Sequence, residues 1–156
     1  MWDRLRKQVV VEQEQLDRLI EVHRPLLLRC ATSTPDDIEL SALAAMLHSF
    51  YTGIENLFKR IEVETDATLP RGEFWHRELL DAMRRPSTVR PAVISAPLRD
   101  RLREYLEFRH VFRQAYSFQL RWDKMSPLVL DCEQTLQRLE AELEVFLQPR
   151  TDPDQR

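Results

Sequence analysis

A chain of 156 residues has the length of one domain and enough surface to bury a real core. Its two glycines, Gly53 and Gly72, cannot build a glycine-rich phosphate loop, and long Glu/Arg/Leu/Gln-rich segments tilt the composition towards an all-α fold. The formal charge of -3 specifies neither a nucleic-acid partner nor an acidic tail, and no apolar run approaches membrane-spanning length.

The opening MWDRLRKQ is charged and amphipathic and lacks the apolar centre of a signal peptide, so a cytoplasmic protein is expected. Leu5, Val9, Leu16, Leu19, His23 and Leu27 share one side of a first helix over roughly 3–30, which Pro25 should kink. Thr34 can cap the second helix with Pro35 at the tolerated first position. That helix then runs through Leu43, Leu47, Phe50, Ile54, Leu57 and Ile61 in unbroken 4-3-4-3-4 spacing. DATLPRGE ends it, and FWHRELLDAMRR reads as a shorter third helix. RPSTVRPAVISAP reads as an extended connection, because each proline disfavours helix at the residue before it. Ser95 and Pro97 open the fourth helix. The last, over about 127–147, carries Cys132, Leu136, Leu139, Leu143 and Phe146 on one face. The expected architecture is a four- to five-helix antiparallel bundle, one domain over 1–148, with residues 149–156 a flexible tail.

The fourth helix holds an anomaly. Leu98, Leu102, Tyr105, Arg109, Phe112 and Tyr116 keep the seam spacing, which puts Arg109 at a seam position and Tyr116 two turns beyond it. A guanidinium sunk into a seam costs several kcal/mol, on the order of the general penalty for a buried charge, unless it is paired or solvated. Either Arg109 answers a buried carboxylate on a neighbouring helix, or the seam opens onto a cleft where it meets an anionic ligand. Periodicity alone favours the first. Residues 84–124 also carry ten Lys and Arg against four Asp and Glu, leaving 13 against 22 elsewhere. Such a stripe permits a phosphate partner and equally suits a solvated face paired with acidic neighbours.

Other side chains offer less. Cys30 and Cys132 lack metal-ligand spacing and read as reduced core thiols, and no two histidines share metal-binding spacing, so neither a metal nor a cofactor is expected. His23 on its apolar face reads as a hydrogen-bonded core histidine. His48 and Tyr51 are one turn apart and fit a cleft or plain packing equally, while His76 follows Trp75 at a helix start. Phe108, Phe112 and Phe118 beside Arg113 and Arg121 form a candidate base-stacking and RNA-binding surface, although aromatics at helical spacing are core more often than platform.

R-H-V-F-R-Q-A-Y, residues 109–116, resembles the motif of the HEPN superfamily: an arginine, a polar residue, a few variable residues and a histidine. It is similar in particular to the HepT-like toxins, in which the histidine is followed by one residue and a tyrosine. Arg109, His110 and Tyr116 match the arginine, its polar neighbour and the tyrosine, and the likeness runs from SALAAMLHSFYTGIENLFKRI through FWHRELLDAM to the last helix. The resemblance implies metal-independent RNA cleavage, usually between two copies of the motif in a homodimer. The arginine would hold the scissile phosphate, the histidine would move protons, and the tyrosine could bond phosphate or base. It also implies a minimal nucleotidyltransferase antitoxin, which in several members transfers AMP to the tyrosine, here Tyr116.

The chain departs from the pattern at one position: Gln114 stands where the histidine belongs. A glutamine amide can hold a phosphate but exchanges no proton near neutral pH. The member is then weak or inactive, or His110 substitutes, or the histidine has been replaced in this chain. On a continuous helix Gln114 also points about 140° away from Arg109. A second register, Arg103 with His110, keeps the histidine but places Phe112 where tyrosine belongs. The expected function is a HepT-like toxin subunit whose Arg109, His110, Gln114 and Tyr116 form a ribonuclease-type site. The alternative is a non-catalytic module that presents Tyr116 or a substrate to a nucleotidyltransferase, and the plainest reading is a scaffold in which Arg109 answers a buried acid.

Overall fold

The computed structural model describes residues 2–112, 116 and 119–148. Five helices follow in order: α1 (Trp2–Cys30), α2 (Asp37–Thr65), α3 (Trp75–Arg84), α4 (Ala96–Phe112) and α5 (Trp122–Phe146), with no strand among the described residues. The bundle is all-α, as composition predicts. α2 packs against all four other helices and forms its centre. Cross-links show the neighbours running antiparallel to one another. Arg4 meets Glu64 and Arg60 meets Glu12 between α1 and α2, while Arg101 meets Asp131 and Ser95 meets Glu142 between α4 and α5.

The periodic faces make the core. The whole predicted α2 seam, Leu43 to Ile61, is buried, and so is the α5 face from Cys132 to Phe146. Each such large apolar side chain contributes about 1.5–3 kcal/mol by leaving water. On α1 the stripe drifts, burying Ile20 and leaving Leu19 and Leu27 half-buried, because 3.6 residues per turn does not repeat over seven. Gly53 lets α1 approach closely: a Cβ there would lie 2.7 Å from Leu16 Cδ2. Cys30 and Cys132 are free and buried, and burial pushes the Cys132 thiol up to about 12. A thiol so held stays protonated and inert.

Two element boundaries differ from the expected ones, the starts of α2 and α5. The cap of α2 is Asp36, not Thr34: its side chain accepts from the Glu39 N–H at 2.8 Å while the Glu39 side chain accepts from the Asp36 N–H, a complete capping box. α1 runs through Pro25 without interruption. α5 begins at Trp122, five residues early, and takes Pro127 into its second turn. Arg101 and Tyr105 of α4 donate there to the Pro127 and Leu128 carbonyls.

The connection from α3 to α4 is part of the core. Val93 and Ile94 are buried, and both their N–H groups donate to the Met83 carbonyl. Arg90 is sunk beside them, donating to Glu62, Asp66 and Thr65 of the α2 end. Ser95 then caps α4, its hydroxyl accepting from the Leu98 N–H while Glu142 accepts from Ser95. The expected tail, 149–156, lies outside the described residues.

Candidate functional site

Arg109 sits in the last turn of α4, where a cation also opposes the negative end of the helix dipole. Its seam position buries it to 2% exposure. α2 supplies its surroundings from one face. The guanidinium lies over the Tyr51 ring at 4.9 Å, Nη1 donates to Thr52 Oγ1 at 3.3 Å, and Nη2 donates to Glu55 Oε2 at 2.9 Å. Of the two explanations the sequence leaves open, a buried carboxylate on a neighbouring helix is present, and it is Glu55.

A third helix completes the group. His76, in the first turn of α3, brings Nδ1 to 2.7 Å from Glu55 Oε2 and 3.0 Å from Arg109 Nη2. One ring nitrogen cannot donate to the carboxylate and accept from the guanidinium together. The carboxylate is the stronger acceptor, so Nδ1–H and Nη2–H both point at Glu55, two donors on one oxygen. The Trp75 ring lies against the imidazole, with centroids 3.6 Å apart and planes tilted by 31°, and Lys59 Nζ stands 4.5 Å from the Trp75 ring. The Glu55 and Arg109 side chains are 5% and 3% exposed, whereas that of His76 is 29% exposed. The imidazole is the face this buried pair shows to solvent. Burial, and after it the Glu55 charge, pushes the Tyr51 hydroxyl far above the usual phenol range, so it remains neutral.

The other expected site residues fall elsewhere. Tyr116 does not continue the seam two turns beyond Arg109: it is non-helical and 68% exposed. No proline or glycine stands between Phe112 and Tyr116 in the sequence. Instead the Tyr116 N–H donates to Gln119 Oε1 and the Gln119 N–H donates to the Tyr116 carbonyl, both at 2.9 Å. Such local side-chain bonding competes with helix. His110 is exposed, one residue and about 100° around the helix from Arg109. Arg121 is exposed and donates twice to Asp123. Phe108 and Phe112 are half-buried, stack on each other and pack against the core. Arg113, Gln114 and Phe118 lie outside the described residues.

His23 is a satisfied histidine, its Nδ1 2.8 Å from the Leu19 carbonyl. His48 is half-buried against the Phe112 ring, at one side of the seam that holds Tyr51 and Arg109. Arg103 is 3.9 Å from Glu107, its own neighbour one turn on. Among the described residues no three His, Cys, Asp or Glu are placed to hold a metal ion, and no helix is long and apolar enough to cross a membrane.

Sequence reasoning missed Glu55. It flanks the α2 seam at a position where Tyr51, Glu55, Phe58 and Glu62 form a second buried stripe at 4-3-4 spacing. Two carboxylates in that stripe, and two arginines in segments packed on it, are a signal that the first stripe obscured.

No curated protein and no solved structure matches the chain. The family model for HepT-like protein matches residues 42–149, which spans most of α2 and everything from α3 through the end of α5. The match covers well over half of the chain and includes Arg109 and Tyr116; with the five-helix bundle, it places this protein among the HepT-like proteins of the HEPN superfamily.

Proposed function

We propose that the protein is the toxin subunit of a toxin–antitoxin pair, acting on RNA without a metal in the cytoplasm. The observation that carries this reading is Arg109: the HepT-like arginine lies in the last turn of α4, ion-paired with Glu55 and 3.0 Å from a histidine that reaches solvent. A guanidinium here attracts the phosphodiester and opposes charge developing in the transition state. Gln114 holds the position of the family histidine, His110 stands next to the arginine, and Arg113 and Arg121 add positive charge along the RNA path. The active unit is a homodimer with two such motifs facing each other. Tyr116 is the residue that a minimal nucleotidyltransferase antitoxin modifies with AMP, and its exposed position beyond α4 suits an acceptor.

The test is RNA cleavage with chelator present, comparing the protein with Gln114→His and Arg109→Ala. Cleavage by the parent that Arg109→Ala abolishes supports an active ribonuclease. Cleavage by Gln114→His alone supports a site whose base has been lost. If neither cuts, the ribonuclease reading falls.

A second reading then takes first place: a non-catalytic module that presents Tyr116 to the nucleotidyltransferase. The 68% exposure of Tyr116 and the burial of Arg109 favour it. It predicts a stable complex with the partner and a mass gain of one AMP that Tyr116→Phe abolishes.

A further inference from the structure

We propose that His76 of α3 is the proton-transfer group of this site, with Glu55 as its positioning residue. The inference rests on the ribonuclease reading and supplies what that reading lacks, a base in place of the histidine absent at 114. Three observations carry it. Glu55 Oε2 accepts a hydrogen bond from Nδ1–H at 2.7 Å, which selects the tautomer whose lone pair is on Nε2. Nε2 makes no hydrogen bond among the described residues and is not among their buried unpaired atoms, so water or a substrate can reach it. Finally, the buried Arg109 guanidinium neutralises Glu55 and lies 3.0 Å from the same imidazole. A group that reaches Nε2 therefore meets the imidazole with a charge-balanced ion pair behind it.

A carboxylate behind a histidine, with the far nitrogen open, is the arrangement that makes imidazole a directed base. Trp75 packs its ring against the imidazole, and Lys59 adds a cation over the Trp75 ring. His110, by contrast, is exposed and has no carboxylate behind it among the described hydrogen bonds. In the reaction Nε2 removes the proton from a ribose 2′-hydroxyl. The O2′–P bond forms as the P–O5′ bond breaks, leaving a 2′,3′-cyclic phosphate and a 5′-oxygen. Water protonates that oxygen, and the resulting hydroxide takes the proton back from the imidazolium, so the site returns to its starting state.

The experiment measures cleavage of a single-stranded RNA by the full chain in chelator, for the parent, His76→Ala, His76→Gln, Glu55→Gln and Gln114→His, each checked for helical content. The expected result is a loss on the order of 100-fold in both His76 variants, the usual cost of removing a general base. Free imidazole should restore part of the rate to His76→Ala but not to His76→Gln, whose side chain fills the space. Glu55→Gln should slow cleavage less than either, and imidazole should not restore it. A merely structural histidine would give no rescue. Undiminished cleavage in both His76 variants overturns the assignment and leaves the ribonuclease reading intact. Cleavage by Gln114→His alone also overturns it, because His76 then does not serve as base in the parent. No cleavage by any variant overturns both.

Discussion

Two buried arginines lean on the same helix, and they are finished differently. Arg90 and Arg109 each donate through Nη2 to a carboxylate of α2, Glu62 and Glu55, which lie seven residues or about two turns apart. Around Arg90 every guanidinium nitrogen is used. Nε reaches Thr65 and Asp66, Nη1 the Arg85 and Pro91 carbonyls, and Nη2 Glu62 and the Ala82 carbonyl. All of these partners but Pro91 belong to α2, α3 or their C-caps, so Arg90 ties the connecting segment down. Burial still pushes the Glu62 carboxyl above its ordinary value, with Arg90 pulling it back. Arg109 has one carboxylate, a long bond to Thr52, an aromatic face and a histidine that reaches solvent. A fully bonded arginine has nothing left for a ligand; one with a titratable neighbour at the surface has.

The contrast can be broken most directly at Arg90. Arg90→Met should cost about 3–5 kcal/mol, the usual result of stranding a buried charge partner. Adding Glu62→Leu should recover little, because Asp66 and the backbone carbonyls stay unpaired. Urea unfolding midpoints of the single and double variants check this; a loss under about 1 kcal/mol would remove the case for a staple.

At the other arginine the double variant should behave differently. Arg109→Met should cost about 2–4 kcal/mol by leaving Glu55 buried and unpaired, and Arg109→Met/Glu55→Leu should regain most of it. A double variant as unstable as the single would mean that Arg109 is as structural as Arg90. His76→Ala should lower stability by only about 1 kcal/mol, the scale of one partly exposed hydrogen bond. A loss several times larger would make His76 a core residue and sink its separate role.

The smallest effect concerns Glu140, a carboxylate with no arginine partner among the described residues. Burial, and then Asp17 of α1, pushes the Glu140 carboxyl of α5 up to about 7. The folded chain thus binds a proton that the unfolded chain releases near its ordinary value, so stability falls as pH rises from about 4 to 7. Glu140→Gln should raise stability at pH 8 by about 1 kcal/mol, less than full linkage because solvent reaches the pair, and change little at pH 5. Denaturation at the two pH values decides it. An equal change at both would mean that packing, not charge, separates Glu140 from the paired acids of α2.

Much of this was readable from single segments. The 4-3 spacings of α2 and α5 placed their buried faces, and the same spacing marked Arg109 as a seam arginine before any partner was known. Local chemistry misled at the helix ends. Thr34 is a good cap by type, yet Asp36 with Glu39 makes a reciprocal pair that a lone hydroxyl cannot. Tyr116 kept the period but left the helix, because periodicity reports a direction and not whether the backbone is still helical there.

What the chain determined alone is the set of faces each helix must bury, since burying apolar area depends on spacing within one segment. It also determined the family motif. Which of 26 carboxylates would meet Arg109, and that His76 would stand beside them, only the packing of α2, α3 and α4 decided. The residues lie 21 to 54 positions apart in sequence, and an ion pair has no period: it exists where three helix axes bring its atoms within hydrogen-bond reach.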